Sequence, residues 1–260
     1  MSTEVAPAPR PSLPPWPEAT ERVDLREVDS TMAEAQRRVP PVTDTWIMAR
    51  RQTAGRGRQG RAWTMPEGNF AATLLCPSAR PASDVALTSF QAALAVYDTL
   101  AHFIDSARLT IKWPNDVLLD GCKVAGILLE TSGTGAGTDW VAIGIGINVV
   151  AAPPPEALEP GALPAISLSA AGALDVTLAE VLQVLAFHMD HHATIWRQRG
   201  FEPLRRLWLE RAANLGTPIR ARTAHATLHG RFAGIDEHGR LLLETADGTQ
   251  KLSAGDVFFG

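Results

Sequence analysis

The chain has 260 residues, 45% hydrophobic and 20% charged, a balance that argues against a wholly disordered chain and allows one large core or two modest ones. Its formal net charge of -4 gives no overall electrostatic footprint for nucleic acid or an anionic membrane, so any basic site must be local. Two cysteines, Cys76 and Cys122, lie far apart without C-x-x-C spacing, which speaks against a disulfide framework or a zinc ribbon and fits a reducing cytoplasm.

In chain order, the first residues lack the continuous apolar stretch of a signal peptide. Prolines 7, 9, 11, 14, 15 and 17 make residues 1–21 read as a disordered, solvated tail, with the folded part starting near Arg22. Strands are expected over Val23 to Val28, Thr45 to Gln52, Asn69 to Cys76 and Leu109 to Trp113. Between the first two, Asp29 to Glu34 has the form of a capping box, Thr31 to Glu34, opening a short helix. The clearest helix runs from Ser83 to Ser106, where Phe90, Ala93, Leu94, Tyr97, Leu100 and Ile104 recur on one face and Ser83 can cap the start. From Val117 to Glu130 the run VLLDGCKVAGILLE sets Asp120-Gly121 between two β-prone segments, a tight hairpin with Lys123 just past the turn. A strand from Asp139 to Val149 ends in a Pro/Gly-rich loop, and Thr177 to about Asn214 is mostly helical. After Leu215, short alternating strands (Pro218 to Arg222, Ala226 to Phe232, Arg240 to Glu244, Gln250 to Leu252) predict a small all-β barrel. The longest apolar stretch, Trp140 to Ala152, is too short to span a bilayer. The fold class is therefore α+β: a mixed sheet flanked by helices over 22–214 and a small β domain over 215–260.

Two segments concentrate chemistry. Gln52-Thr-Ala-Gly55-Arg56-Gly57-Arg58-Gln59-Gly60-Arg61-Ala-Trp63 combines glycines, which allow close backbone approach, with guanidinium groups that bind carboxylate or phosphate oxygens. Its Gly55-x-Gly57-x-x-Gly60 string is no dinucleotide fingerprint, because Pro66 and Gly68 oppose the helix that must follow. Lys112-Trp113-Pro114-Asn115-Asp116, directly before the hairpin of Lys123, sets cations and one carboxylate together; taken alone it reads first as an Asn-Asp turn with solvated lysines, and otherwise as a combination suited to a magnesium nucleotide. Gly126, inside the strand after Lys123, marks a close approach by a ligand or a second backbone. Gly144-Ile-Gly146-Ile-Asn148 ends a strand without a following helix, so Asn148 is either a ligand donor or a turn residue. His188, Asp190, His191 and His192 share a helix, but no matching pair on another helix supports a metal site.

Taken in this order, Ser30-Thr31, GRGRQGRAW, KWPND, KVAGIL and GIGIN resemble the catalytic domain of biotin–protein ligases, and the β tail is similar to that family's small SH3-like C-terminal domain. The resemblance implies a class II synthetase-like catalytic fold that uses ATP and Mg2+ to convert biotin to biotinyl-5'-adenylate. It also implies transfer of the biotinyl group to a lysine of a biotin carboxyl carrier domain. Carried over by motif, biotin contacts fall on Ser30, Thr31, Met32, Gln52, Gly55, Arg56, Gly57, Arg58, Lys123 and Gly126. ATP contacts fall on Arg58, Arg61, Trp63, Lys112, Asn115 and Asn148, with Asp116 for the metal and Lys123, Arg58 and Lys112 as the reacting-centre cations. Met32 stands where many relatives carry Asn. The tail before Arg22 is too short and proline-rich for the helix-turn-helix domain of the bifunctional members, so DNA binding is not expected. Neither is a membrane partner; a homodimer is left open. A lipoate–protein ligase shares the fold and the acyl-adenylate chemistry, and a non-catalytic biotin- or nucleotide-sensing regulator is the rival of another class. The GRGRQGRAW and KWPND motifs favour biotin over lipoate, and the retained Lys112, Asp116 and Lys123 favour an enzyme over a sensor.

Overall fold

A computed structural model describes residues 11–78, 81–132, 137–158 and 161–259. Seven strands form a mixed sheet: β1 (Thr20–Leu25), β2 (Asp44–Ala49), β3 (Phe70–Pro77), β4 (Leu109–Lys112), β5 (Asp116–Leu119), β6 (Cys122–Ser132) and β7 (Trp140–Ile147). Their spatial order is β1-β2-β3-β7-β6-β5-β4, with β1 parallel to β2 and the other pairs antiparallel.

Strand alternation sorts side chains between two faces. Phe70, Ala72 and Leu74 of β3, with Val141, Ile143, Ile145 and Ile147 of β7, enter the main core. That core lies under α3 (Thr88–Ala101), α4 (Leu178–Arg199) and α5 (Glu202–Glu210), which follow the short α2 (Ala82–Val85). The opposite face carries α1 (Thr31–Arg37), where Met32 and Ala35 pack on Ile47, Leu75 and Ala142. Along GIGI the isoleucines therefore point into the core, while Gly144 and Gly146 face the α1 side. As expected, GIGI forms the end of β7, which stops at Ile147.

The β5–β6 hairpin forms as expected. Asp120 and Gly121 both have positive φ, 51° and 76°, the backbone that a two-residue turn between twisted strands requires. The single helix expected from Ser83 to Ser106 is instead divided into α2 and α3. Val85 and Leu87 are both buried two residues apart, a spacing that one straight helical face cannot serve. At α1 the cap is Ser30, whose side chain accepts from the Met32 and Ala33 amides, while Glu34 pairs with Arg37 and Arg38. Thr31 is thereby left for another task. A reciprocal capping box does occur at α4, between Thr177 and Glu180.

Residues 11–19 have no regular structure, yet Trp16 packs against the core and Gln183 of α4 donates to the Pro14 carbonyl at 2.8 Å. The part of the tail next to β1 is thus tethered at Pro14 and Trp16, while Pro11, Ser12, Leu13, Pro15, Glu18 and Ala19 stay exposed.

After α5, strands β8 (Pro218–Arg222), β9 (Thr227–Ile235), β10 (Leu241–Thr245), β11 (Gly248–Leu252) and β12 (Asp256–Phe259) form an antiparallel sheet in the order β11-β10-β9-β8-β12. The sequence pattern did not announce β12. Ile219, Ala221, Phe232, Leu243 and Val257 are continuous with the main core, and Trp113 Nε1 donates to the Gly239 carbonyl at 3.1 Å. The small sheet is in this way fixed against the KWPND turn.

His192 is buried with Nε2 2.7 Å from Asp98 Oδ2, and Arg211 Nη1 lies 2.9 Å from Asp98 Oδ1. Burial opposes ionisation of Asp98, but the His192 hydrogen bond and the Arg211 charge outweigh it and hold the carboxyl below its ordinary pKa. This histidine ties helices together. Among the described residues no group of three or more His, Cys, Asp or Glu side chains could hold a metal.

Candidate active site

On the α1 face of the sheet lies a cavity of about 570 Å³ whose floor is made of small residues: Ala71 and Thr73 of β3, Gly144 and Gly146 of β7, and Gly126 of β6. The floor must be low because side chains lie directly on it. A Cβ at Gly146 would stand 2.3 Å from the Trp63 indole, and one at Gly144 would stand 2.9 Å from the Met32 methyl. At one end Ser30, Thr31, Met32 and Gln52 line the wall. Thr31 is buried, and its amide donates to Gln52 Oε1 at 2.8 Å.

The glycine–arginine segment crosses above this floor as a closed excursion. Trp63 N donates to the Gly55 carbonyl at 2.9 Å, Gly57 N donates to the Arg61 carbonyl at 2.7 Å, and Arg56 bridges Ala62. Gly55 does not line the cavity. A Cβ there would stand 2.6 Å from the Trp63 carbonyl oxygen, so glycine is required to close the base of the excursion. At its tip a single 3-10 turn, Arg58–Gly60, aims Arg58 at the KWPND turn, where Nη1 donates to Asn115 Oδ1 at 3.1 Å. The Asn115 amide donates in turn to the Ile127 carbonyl, which fixes its orientation.

β4 and β5 pair Lys112 directly with Asp116 across that turn. Asp116 Oδ1 lies 2.7 Å from Lys123 Nζ, and Asp116 Oδ2 lies 3.9 Å from Lys112 Nζ. Burial pushes the Lys112 pKa below the ordinary lysine value, and the Asp116 charge only partly restores it. Lys123 Nζ is also 5.8 Å from the centroid of the Trp63 ring. Asn148 is buried, with Nδ2 on the Ile166 carbonyl at 3.2 Å and Oδ1 without a partner among the described residues.

The small sheet completes the cavity with Arg220, Arg222, Asp256, Phe258 and Phe259. Asp256 Oδ2 receives Arg61 at 2.8 Å and Arg222 at 3.2 Å. Burial raises its pKa, but these two hydrogen bonds prevail and keep the carboxyl below its ordinary range. Arg220 and Arg222 both lie over the Phe258 ring, at 4.6 and 5.0 Å. The lining thus holds seven basic side chains (Arg56, Arg58, Arg61, Lys112, Lys123, Arg220, Arg222) against two carboxylates, Asp116 and Asp256. In a chain of net charge -4, this is a local site for anions. A separate groove, lined by Arg22, Met48, Arg50 and Leu178, contains none of the motif residues.

A model described as "Biotin/lipoate A/B protein ligase family" matches residues 25–148, and one described as "Biotin protein ligase C terminal domain" matches residues 215–260. A biotin--[acetyl-CoA-carboxylase] ligase of Paracoccus denitrificans is 49% identical over 238 residues, which cover 91% of this chain and 99% of that protein. The chain belongs to the biotin protein ligases. The bifunctional ligase/repressor BirA of Bacillus subtilis (strain 168) is 36% identical over 83% of this chain but only 66% of its own length. Among solved structures, the biotin protein ligase from Aquifex aeolicus in complex with biotin and ATP superposes with a TM-score of 0.76 at 26% identity, covering 91% of this chain and 97% of that one. For this biotin protein ligase, every site residue expected from the sequence except Gly55 lines one cavity. Thr73, Arg220, Arg222, Asp256 and Phe258 line it too and were not expected. Among the described residues no helix is long and apolar enough to cross a membrane.

Proposed function

We propose that the chain is an ATP-dependent biotin–protein ligase that works in the cytoplasm and modifies biotin carboxyl carrier domains. The observation that carries this reading is the gathering of seven basic side chains around one low-floored cavity. In the first step a biotin carboxylate oxygen attacks the α-phosphorus of ATP, and pyrophosphate leaves. In the second an acceptor lysine amine attacks the acyl carbon, AMP leaves and the amine gives up a proton. Two anions must meet in the first step, and preorganised cations offset their repulsion without reorganisation at the moment of reaction.

In this reading Ser30, Thr31, Met32 and Gln52 hold the biotin ring, while Arg56 and Gly57 close over it. Lys123, beside Gly126, faces the carboxylate and the α-phosphate. Arg58, Arg61, Lys112 and Asn115 face the phosphates, Trp63 offers its indole to the adenine, and the unpartnered Asn148 Oδ1 offers an acceptor. Magnesium comes with the nucleotide. Asp116, beside Lys123 and Lys112, is the carboxylate that would hold it, and the ion would supply charge to offset that of the phosphates.

The test is exchange of labelled pyrophosphate into ATP. Exchange is expected only with biotin and a divalent cation; equal exchange with lipoate, or none with biotin, overturns the assignment.

Lys112 adds a pH dependence. A lysine with a lowered pKa loses its charge at lower pH than an ordinary lysine, so phosphate capture weakens early as pH rises. The kcat/KM for ATP is expected to fall with rising pH earlier than an ordinary lysine would impose, and Lys112→Arg, whose guanidinium stays charged, flattens that fall. An identical decline in both proteins would assign the loss to another group.

A further inference from the structure

Thr73 sits in the middle of β3 with no solvent exposure, a polar side chain on the cavity floor between Ala71 and Leu75. A threonine in a strand is ordinarily explained by its β-branched shape. Here the hydroxyl has a further partner, because Thr73 Oγ1 lies 2.9 Å from Thr31 Oγ1, which in turn lies 3.1 Å from Gln52 Oε1.

The direction of this chain follows from counting donors. The Thr31 backbone N–H, 2.8 Å from the Gln52 side chain, can only donate, so the atom facing it is the amide oxygen and not the amide nitrogen. That oxygen cannot donate, so the Thr31 hydroxyl hydrogen points towards it. Thr31 Oγ1 is then the acceptor for the Thr73 hydroxyl. The sense is fixed as Thr73 to Thr31 to Gln52. Two groups remain for a ligand: the second lone pair of Thr31 Oγ1 and the two hydrogens of Gln52 Nε2. Both residues line the cavity.

We propose that Thr73 is a positioning residue that holds the Thr31 hydroxyl in place at the ring-recognition end, so that Thr31 accepts from, and Gln52, turned by the Thr31 amide, donates to, the edge of a cyclic urea. Such an edge presents an N–H beside a C=O, matching one acceptor and one donor. This rests on the biotin ligase reading, since biotin's ring is a cyclic urea. Without the Thr73 hydroxyl, Thr31 loses its donor, its rotamer is no longer fixed, and the Gln52 amide loses one of the two contacts that orient it.

Binding of biotin to wild type in the absence of ATP, measured by calorimetry, tests the underlying reading separately. If wild type fails to bind, that reading fails. With wild-type binding in hand, Thr73→Val, which keeps shape and removes the donor, is expected to raise the KM for biotin about tenfold with the KM for ATP unchanged. Thr73→Ser restores biotin affinity. Thr73→Cys, a weak donor of similar size, falls between them and keeps the series readable if valine impairs folding. The decisive readout is discrimination against 2-iminobiotin in its protonated form, where the urea carbonyl is replaced by a donor. Its disadvantage relative to biotin persists in Thr73→Val, because the Thr31 N–H still holds the Gln52 oxygen and leaves the Gln52 NH2 towards the ligand. An unchanged biotin KM, lost discrimination against protonated 2-iminobiotin, equal losses for biotin and ATP, or a serine variant as poor as valine would each overturn the role of Thr73.

Discussion

Lys123→Ala is expected to slow biotin-dependent pyrophosphate exchange by about 10²–10³-fold, the cost of removing one preorganised charge from a reacting centre. Lys123 begins one residue into β6, directly after the Asp120-Gly121 turn, and its amide donates to the Pro164 carbonyl at 2.7 Å while its carbonyl accepts from Ile166. Backbone contacts on both sides therefore fix the Cα, and the side chain reaches over Gly126 towards Asp116 and Trp63. Alanine removes the cation where the carboxylate and α-phosphate must approach, and it leaves Asp116 with Lys112 as its remaining lysine partner, 3.9 Å away. Both changes raise the barrier of the first step. The second step expels AMP from a neutral acyl carbon and depends less on this charge. With biotinyl-adenylate supplied directly, Lys123→Ala should thus transfer the biotinyl group to an acceptor domain at a rate near that of wild type. Loss of both steps to the same extent would show that Lys123 is not confined to adenylation.

What the sequence disclosed, and what it withheld, depends on the range of the interaction. The Asp120-Gly121 hairpin was legible because two residues of the right backbone freedom decide it locally. The division of α2 from α3 was not, because it depends on what Val85 and Leu87 meet in the core. GIGIN is legible as the end of a strand, and β7 stops at Ile147; that Gly146 makes room for the Trp63 ring and Gly144 for Met32 is not legible, because both partners are distant in sequence. Thr31 fits a capping motif as well as Ser30 does. Only the positions of Gln52 and Thr73 across the sheet show why Ser30 caps and Thr31 turns inward. Asp256 lies 195 residues from Arg61, and no local pattern links them. The glycine–arginine loop and KWPND stand out by their concentration of charge and glycine, whereas Ser30, Thr31, Met32 and Asn148 enter the site only through the family resemblance. The small sheet's share of the cavity carries no such concentration and needed the tertiary fold.

Arg58→Gly is expected to leave adenylation partly intact while the reactive intermediate escapes about ten- to a hundredfold faster. The Gly55–Trp63 excursion is closed at its base by backbone hydrogen bonds, so the substitution does not unmake it. Its tip is different. Arg58 joins the tip to the KWPND turn through Asn115 at 3.1 Å, and Asn115 is itself held by the Ile127 carbonyl. Glycine deletes that tie together with one cation above the cavity and adds backbone freedom at the same position. Losing a charge-assisted hydrogen bond costs about 1.5–3 kcal/mol, and each 1.4 kcal/mol is a tenfold change in a dissociation constant. Because Lys112 and Lys123 remain, the two anions can still be brought together. A mixed anhydride that is formed but not held diffuses out and acylates lysines at random, whereas a closed tip retains it and excludes water until an acceptor docks. The check is to incubate wild type, Arg58→Gly and Lys123→Ala with biotin, ATP and an unrelated lysine-rich protein, then blot that protein for biotin. Strong labelling is expected with Arg58→Gly, little with wild type, and none above background with Lys123→Ala. If Arg58→Gly still forms adenylate yet labels the bystander no more than wild type does, retention is not the task of Arg58.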